Sequence, residues 1–408
     1  MTSEPAPAGG RRFRGVTSGR ADAPAEPIRV GLVGYAFMGA AHSQAWRSVN
    51  RFFDLPLQVE RTAIAGRSEE IVAAAAEKLG WRSYETDWAD LIARDDVDLV
   101  DICTPSDSHA EIAIAALEAG KHVLCEKPLS RTLEEGKQMV AAADRARERG
   151  VRSMVGFNYR RVPALALARE LVGDGRLGTI RHVRAQYLQE WLVDPGFPLT
   201  WRLQRDRAGS GALGDIGAHI VDAVQYVLDD HLAGVCALTE TFVEERPLPA
   251  EVGSGRAARG TVTVDDCALF LGRFASGGVA TFEATRYATG RKNGLRLEIN
   301  GSEGSVVFDL ESLNELWFHD RADPATTAGF RRILATHPDH PYMSAWWPQG
   351  HIIGYEHTFT HQVRDLLAAI AVDEDPSPSF ADGLQVQRVL DAVERSAEDD
   401  SRWTPVTA

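Results

Sequence analysis

The distribution of apolar and polar residues divides most of the chain into two parts with different patterns. In the first part, short apolar runs alternate with amphipathic stretches, which predicts a parallel sheet covered by helices on both faces. The predicted strands are Ile28 to Val33, Gln58 to Ala65, Asp98 to Cys103 and His122 to Glu126. The predicted helices are Met38 to Val49, Ser68 to Leu79, His109 to Ala119 and Leu133 to Arg147.

The second pattern begins after about Gly156. Strand-like runs follow one another with tight turns such as Asn300-Gly301, which indicates a mostly antiparallel sheet. The predicted strands are Ile180 to Trp191, Val235 to Val243, Gly260 to Phe274, Gly278 to Ala284, Leu295 to Asn300, Gly304 to Phe308 and Glu315 to His319. The predicted helices are Pro163 to Val172, Asp215 to Leu228, Tyr355 to Ile370 and Ala381 to Ala397.

Composition and charge narrow the classes of partner. The 408 residues include 44 Lys and Arg against 58 Asp and Glu, and the basic residues form no long stripe, so we expect no nucleic-acid partner. No apolar run approaches the ~20 residues of a membrane helix, so we expect no membrane span. The cysteines are far apart in apolar contexts, which is typical of reduced thiols and predicts a cytoplasmic protein. They are Cys103, Cys125, Cys236 and Cys267.

Residues 1–26 differ from the rest of the chain. They are built from Pro, Ala, Gly, Arg and small polar residues with almost nothing to bury, so we expect a disordered tail. Arg11-Arg12-Phe13 resembles the start of a twin-arginine export signal. Because no apolar segment of roughly 7 to 15 residues follows, export is the weaker alternative.

A glycine-rich turn follows the first predicted strand and opens a helix. It reads Gly31-Leu-Val-Gly34-Tyr-Ala36-Phe-Met-Gly39. In this position, glycines permit a tight turn and let a pyrophosphate approach the backbone amides of the helix N-terminus. Ala36 replaces the central glycine of the dinucleotide-binding fingerprint, which is a departure of one methyl group. The turn predicts a nucleotide site.

The end of the second predicted strand bears on the choice of cofactor. An acidic residue at this point would bind the adenosine ribose 2'-hydroxyl, but the strand ends Ala65-Gly66-Arg67-Ser68. Arg67 with Ser68 can instead face a 2'-phosphate, which favours NADP and leaves NAD open. The alternative is a solvated arginine at a helix start.

Two further motifs carry groups for acid-base chemistry. Lys127 follows a strand and precedes Pro128, so its ammonium lies at the sheet edge, where it can stabilise a developing alkoxide. Asp215 and His219 are four apart on one helical face, and the imidazole can take a proton at neutral pH. The alternatives are a surface lysine and a structural Asp/His pair with Asp215 as a helix cap. The glycines before Asp215 favour a close approach of the backbone to a ligand.

Three histidines, His351, His357 and His361, form another cluster. No cysteine lies nearby in the sequence, and the neighbouring carboxylates follow no recognised ligand pattern. We therefore expect no metal site.

Taken together, these motifs resemble the Gfo/Idh/MocA family, named after glucose-fructose oxidoreductase, inositol dehydrogenase and rhizopine catabolism. The resemblance covers nearly everything from Ile28 to the C-terminus. It is carried by the glycine turn, Asp101-Ile-Cys-Thr-Pro105 with His109, Ala115 to Pro128, Gly156-Phe-Asn-Tyr-Arg160 and Gly211-Ala-Leu-Gly-Asp-Ile-Gly-Ala-His219. Within the family, Tyr187-Leu-Gln-Glu-Trp191 and Pro198-Leu-Thr-Trp-Arg202 are most similar to pyranoside dehydrogenases.

The resemblance implies an α/β fold. It consists of an N-terminal Rossmann dinucleotide-binding domain and a C-terminal α+β domain with a large, open-faced, mostly antiparallel sheet. We place the first domain at 27–156 and the second, for substrate binding and oligomerisation, at 157–408. The active site would lie between them, with the Lys127-Pro128 bond in the cis form. We expect a homodimer or homotetramer formed through the C-terminal sheet.

The resemblance also implies roles for individual residues. Lys127 would be the catalytic lysine, His219 the proton acceptor, and Asp215 its partner and a substrate contact. The cofactor set would be Gly34, Ala36, Phe37, Met38, Gly39, Gly66, Arg67, Thr104, Pro105, His109, Glu126 and Lys127. The further contacts to a polyhydroxylated small molecule would be Asn158, Tyr159, Gln189, Trp201 and Arg202.

The implied activity is oxidation of a secondary hydroxyl of a sugar, anhydrosugar or inositol by hydride transfer to NAD or NADP. One alternative is an NADP-dependent reductase of a keto-sugar or dihydrodiol. Others are a non-catalytic sugar or nucleotide sensor and a hydrolase that uses tightly bound NAD transiently. The intact Lys127, Asp215 and His219 argue against a sensor, because a sensor needs no proton acceptor.

Overall fold

The computed structural model describes residues 26–249 and 258–407. The predicted disordered tail, residues 1–26, lies outside these ranges except for Glu26. Within the described residues, no helix combines the length and apolar character needed to cross a membrane.

A six-stranded sheet, parallel throughout, forms the N-terminal part of the fold, with the order β3-β2-β1-β4-β5-β6. Its strands are β1 Ile28–Val33, β2 Val59–Ala65, β3 Ser83–Glu85, β4 Leu99–Ile102, β5 His122–Cys125 and β6 Ser153–Val155. Its helices are α1 Phe37–Phe52, α2 Glu69–Leu79, α3 Trp88–Ala93, α4 His109–Glu118 and α5 Leu133–Arg147. The alternating apolar pattern is thus confirmed as an α/β unit.

A nine-stranded mixed sheet dominates the rest of the chain, with the order β16-β15-β14-β13-β7-β12-β11-β8-β17. All its pairs are antiparallel except β7 with β12. The strands, including the separate pair β9 and β10, are β7 Ile180–Leu188, β8 Leu232–Glu240, β9 Glu245–Pro247, β10 Arg259–Thr261, β11 Cys267–Phe274, β12 Val279–Thr285, β13 Gly294–Gly301, β14 Gly304–Asp309, β15 Glu315–Asp320, β16 Arg331–Leu334 and β17 Thr404–Pro405. The helices are α6 Pro163–Gly173, α7 Arg205–Ala208, α8 Ala218–Leu228, α9 Tyr355–Ala371 and α10 Phe380–Glu398.

The strand predicted from Gly260 to Phe274 is wrong in one respect, because the structure divides it into β10 and β11. The cause is two adjacent carboxylates in the gap. Asp265 accepts hydrogen bonds from the amides of Gly211 and Leu213, and Asp266 accepts from Phe242. Both acidic side chains are therefore used to hold neighbouring loops, and the segment cannot continue a regular ladder.

Helix α9 links the two parts of the fold. Its apolar residues Phe359, Val363 and Leu366 belong to the same buried cluster as Trp46 of α1 and Leu32 of β1. The chain therefore returns after the mixed sheet to complete the core of the parallel sheet. This packing fixes the parallel sheet edge against the elements that carry the second half of the site.

Candidate active site

One cavity of about 1060 Å³ brings together the segments that follow β4 and β5, the start of α8 and the end of β7. Its size suits a small polar substrate beside part of a dinucleotide. The predicted site residues that line it are Ala36, Phe37, Met38, Thr104, Pro105, His109, Glu126, Lys127, Asn158, Tyr159, Gln189, Trp201, Arg202, Asp215 and His219. Those that do not line it are Gly34, Gly39, Gly66 and Arg67.

The glycine turn has the geometry of a nucleotide-binding loop. Gly34 has φ +99°, and a Cβ there would lie 2.8 Å from the carbonyl oxygen of Cys103. A Cβ on Gly39 would lie 2.1 Å from the carbonyl oxygen of Gly34. Ala36 cannot cap α1 with its side chain, and the first turn carries no acidic residue. The amides at this helix start therefore suit an anionic group such as a pyrophosphate.

The residues after β2 lie beside this turn. The ring of Tyr35 lies directly against Gly66. Arg67 is exposed and, among the residues that the structure describes, has no ion-pair partner. Its guanidinium is therefore free to meet a phosphate or to remain in water.

Lys127 reaches from the parallel sheet edge to the start of α8. The Lys127-Pro128 bond is cis, in agreement with the resemblance. The ammonium Nζ donates to the backbone carbonyl of Asp215 at 2.7 Å and lies 3.4 Å from its Oδ1. The cation is thus held on the cavity wall at a defined position.

His109 ties two strand ends together. Its Nε2 lies 2.9 Å from the carbonyl oxygen of Thr104, and its Nδ1 lies 2.9 Å from that of Pro128. Burial lowers the pKa of this imidazole, despite its backbone hydrogen bonds. Because both ring nitrogens face carbonyl groups, His109 is suited to fixing the cavity wall rather than to proton transfer.

Asp215 is held by cations. Its Oδ2 lies 3.8 Å from Nη1 of Arg286, a fully buried side chain, in addition to the contact with Lys127. Burial raises the pKa of Asp215, but the charges of Lys127, Arg286 and Arg202 outweigh it and hold the pKa below its ordinary value. The carboxylate is therefore ionised at neutral pH.

The helix predicted from Asp215 starts earlier than expected. Residues Leu213–Gly217 form one π-helical turn that leads into α8, so Asp215 is inside the helix and caps nothing. Such turns often occur at functional sites, where they reposition side chains. The capping alternative for Asp215 is therefore wrong.

His219 is buried and lines the cavity, with 7% of the residue exposed. Its ring packs on Tyr159 at a centroid distance of 4.6 Å, and its Nδ1 has no hydrogen-bond partner. Burial, reinforced by the charge of Lys127, holds the pKa of His219 well below its ordinary value. The imidazole is therefore neutral at neutral pH and able to accept a proton.

The expected pairing of Asp215 with His219 is absent from the structure. The carboxylate contacts Lys127 and Arg286, and His219 keeps an unpartnered Nδ1. The reason is electrostatic, because a carboxylate gains more from two nearby cations than from a neutral imidazole. The two side chains share a cavity but not a hydrogen bond.

Gly211, one of the glycines before Asp215, lies against the backbone of a neighbouring loop. A Cβ on Gly211 would lie 1.7 Å from the carbonyl oxygen of Asp265, and the Gly211 amide donates to the Asp265 side chain at 2.6 Å. At Gly211, the close approach is therefore to a neighbouring loop and not to a ligand, in contrast to the sequence-based interpretation.

A hydrogen-bonded chain of side chains lines the cavity beside His219; Tyr159 and Gln189 in it were predicted, whereas Tyr187 and Asn293 were not. The hydroxyls of Tyr159 and Tyr187 lie 2.9 Å apart, and Tyr187 donates to Oδ1 of Asn293 at 2.7 Å. The amide of Gln189 donates to the same oxygen at 2.8 Å, and Trp191 donates to Gln189. Period-two spacing in the predicted strand Ile180 to Trp191, which places Tyr187 and Gln189 on one face, was the available signal for Tyr187.

The remaining predicted substrate contacts differ in whether their polar groups are already hydrogen-bonded within the protein. The amide nitrogen of buried Asn158 donates to Thr358, so that group is already used inside the protein. Arg202 is exposed and stacks on Trp201 at 4.4 Å. Arg202 is therefore the candidate best placed to adjust to a substrate.

Among the three histidines near α9, His361 is a packing residue. His361 is fully buried, its Nδ1 lies 2.9 Å from the carbonyl oxygen of Arg161, and its Nε2 accepts from Trp346. Burial lowers its pKa to about 3. A neutral ring with both nitrogens occupied in this way stabilises the fold.

The cavity therefore presents a neutral imidazole, an ammonium and an ionised carboxylate beside a nucleotide-binding turn. The imidazole can accept a hydroxyl proton while the cation stabilises negative charge on the oxygen. A protein can use this set of groups for alcohol oxidation with a nicotinamide cofactor.

Comparison with protein families identifies both parts of the chain. Residues 28–157 match the model described as "Oxidoreductase family, NAD-binding Rossmann fold". Residues 165–307 match the GFO/IDH/MocA C-terminal domain.

Individual relatives match almost end to end. Levoglucosan dehydrogenase from Pseudarthrobacter phenanthrenivorans is 44% identical over 388 residues, covering 93% of this chain and 98% of the relative. An oxidoreductase domain protein from Kribbella flavida has a TM-score of 0.90 and 62% identity, covering 94% of this chain and 100% of that one. A levoglucosan dehydrogenase solved with NADH and levoglucosan has a TM-score of 0.89 and 43% identity, with the same coverages. The chain therefore belongs to the Gfo/Idh/MocA family and is an NAD-binding oxidoreductase.

Proposed function

We propose that the protein oxidises a secondary hydroxyl of an uncharged sugar, with anhydrosugars such as levoglucosan as the first candidates. The observation that carries this proposal is the placement of neutral His219 and cationic Lys127 on one cavity. The similarity to levoglucosan dehydrogenase over most of both chains supports the substrate class.

We assign the steps to side chains as follows. Lys127 donates to the substrate oxygen and stabilises its alkoxide character, and Asp215 keeps the ammonium in place. His219 accepts the hydroxyl proton. A bound nicotinamide would supply the hydride acceptor. Thr104, Pro105, His109 and Glu126 form the wall on which that end of the cofactor would rest.

The substrate wall follows from the hydrogen-bonded chain described above. Tyr159, Gln189 and Asn293 offer hydroxyl and amide groups that match a polyhydroxylated ring. Trp201 and Arg202 would close the cavity from the loop side. A site that pairs with several hydroxyls discriminates strongly against analogues that lack one of them.

The test is a panel of inositols, aldopyranoses and levoglucosan offered with NAD or NADP, followed by the absorbance of reduced nicotinamide. The proposal predicts reduction of the cofactor with one or a few neutral sugars. If no sugar in the panel reduced the cofactor while NADH binding was intact, this result would contradict oxidation as the activity. It would favour the reductive direction or a bound-cofactor mechanism.

Cofactor choice is the second part of the proposal. NAD binding follows from the family, and we propose that the exposed Arg67 also admits the 2'-phosphate of NADP. Arg67→Asp should shift the ratio of kcat/KM for NAD over NADP upward by roughly tenfold or more, because a carboxylate repels that phosphate and binds the ribose hydroxyl. Arg82→Asp, another exposed arginine near β3, is the control. An unchanged ratio in Arg67→Asp would contradict the assignment.

We also propose a homo-oligomer formed through the outer face of the nine-stranded sheet. Neighbouring strands there present Leu238, Leu269 and Leu271, which are 61%, 43% and 54% exposed. Contiguous apolar surface of this kind commonly marks a protein interface.

Leu269→Lys combined with Leu271→Lys should lower the mass measured by light scattering to that of a smaller species, since two buried charges per face oppose association. Ile71→Lys, at an exposed position on α2, is the matched control and should leave the mass unchanged. A double variant with the wild-type mass would place the interface elsewhere.

A further inference from the structure

A buried histidine lies behind the cavity, between two carboxylates. His42 of α1 is fully buried. Its Nδ1 lies 2.9 and 3.0 Å from the two carboxylate oxygens of Asp101, and its Nε2 lies 3.0 Å from Oε1 of Glu126. A neutral imidazole can donate from only one nitrogen, so this geometry fits a doubly protonated ring.

The surroundings of Asp101 favour that charge. Burial alone lowers the pKa of His42, but the carboxylate of Asp101 outweighs it and raises the pKa well above its ordinary value. Trp46 donates to Asp101 Oδ2 at 2.6 Å, and the thiol of Cys103 lies 3.7 Å from Oδ1. The donor atoms of His42, Asp101 and Cys103 are close enough to share an ion, but these hydrogen bonds already use both ring nitrogens and both oxygens.

Glu126 is a charged member of this network that is placed to meet a ligand. It lines the cavity, although only 5% of the residue is exposed. Its Oε1 is held by His42, and its Oε2 accepts from the backbone amide of Lys127 at 3.2 Å. Without His42, the carboxylates of Asp101 and Glu126 would lie in the core with no cation between them, a strongly unfavourable arrangement.

We propose that His42 is a positioning residue that acts through Glu126 to fix the cofactor end of the cavity. The inference rests on the proposed placement of the nicotinamide side against Glu126. His42 itself does not line the cavity. His42 holds Oε1 of Glu126, and this contact fixes the direction in which Oε2 of the same carboxylate points.

The test is a double-mutant cycle in which the affinity for NADH is measured by fluorescence titration. His42→Gln and Glu126→Gln should each weaken NADH binding by about tenfold, the effect expected of one charge-assisted hydrogen bond. Because both changes remove the same function, the double variant should bind within about twofold of the weaker single variant. The proposal would be overturned if the fold losses of NADH affinity in the two single variants multiplied in the double variant. It would also be overturned if His42→Gln bound NADH with wild-type affinity.

A matched control separates positioning from general damage. His361 is equally buried, and both of its nitrogens are bonded, but it does not line the cavity. His361→Gln should lower the melting temperature and leave NADH affinity unchanged. Equal weakening in this control would refute a specific role for His42.

A replacement variant keeps the cycle usable if His42→Gln does not fold. Asp101→Asn keeps the side-chain shape and loosens the hold on His42, so it enters the same cycle with Glu126→Gln and the same expected outcome. The titration needs no sugar, so an error in the proposed substrate would leave these results unaffected.

Discussion

Replacing His219 by Ala should reduce kcat for sugar oxidation by roughly 10²- to 10⁴-fold, the usual contribution of one acid-base group. The structure supplies the reason, since the ring is neutral, buried and on the cavity wall. The affinity for NADH should be unchanged, because the nucleotide-binding turn lies between β1 and α1, whereas His219 is in α8. Stopped-flow measurement of reduced nicotinamide, with NADH titration beside it, checks both parts.

The pH dependence of the wild type identifies the same group. His219 accepts a proton only when neutral, and its pKa lies well below the ordinary 6.5. The kcat/KM for oxidation should therefore hold its value as the pH falls through 6.5 and decline only further into acid. Undiminished turnover in His219→Ala, or an acid limb centred above 6.5 in the wild type, would contradict the assignment.

Lys127→Met should lower kcat by roughly 10²- to 10³-fold, the loss measured when one donor to a developing oxyanion is removed. Methionine keeps most of the stem and removes the charge. Since the charge of Lys127 helps to lower the pKa of His219, its removal should raise that pKa. The protonated, inactive form of His219 then persists to higher pH, so the residual activity of Lys127→Met should begin to fall at a higher pH than that of the wild type.

A second lysine beside the same strand provides the control. Lys121 precedes β5 and donates to the carbonyl oxygens of Arg94 and Val97, away from the cavity. Lys121→Met should lower the melting temperature without changing kcat or its pH dependence. A pH profile in Lys127→Met identical to the wild type would show that its charge does not act on His219.

The sequence was most informative where local order decides the outcome. The glycine turn and the prolines at Pro105 and Pro128 mark strand ends, and the carboxyl ends of parallel strands meet at one edge. The cavity therefore collects most of the predicted residues. Very short strands such as β3 and β6 went unpredicted, because three residues carry too little periodicity to register.

Pairings between distant residues could not be predicted in the same way. The spacing of Asp215 and His219 placed them on one helix but could not show that Lys127 and Arg286 would capture the carboxylate. Arg286 follows β12 with no motif around it, and its role depends on the packing of the mixed sheet. His42 gives no signal for the same reason, since its partners come from β4 and the segment after β5.

The most direct test of the account follows the substrate hydrogen itself. The sugar that gives the largest signal in the panel is prepared with deuterium on its ring carbons, and the reduced cofactor is examined by nuclear magnetic resonance after turnover. Direct oxidation of a secondary hydroxyl predicts deuterium at C4 of the nicotinamide and a matching amount of keto-sugar. Reduced cofactor without deuterium at C4 of the nicotinamide would contradict hydride transfer from the sugar in this cavity.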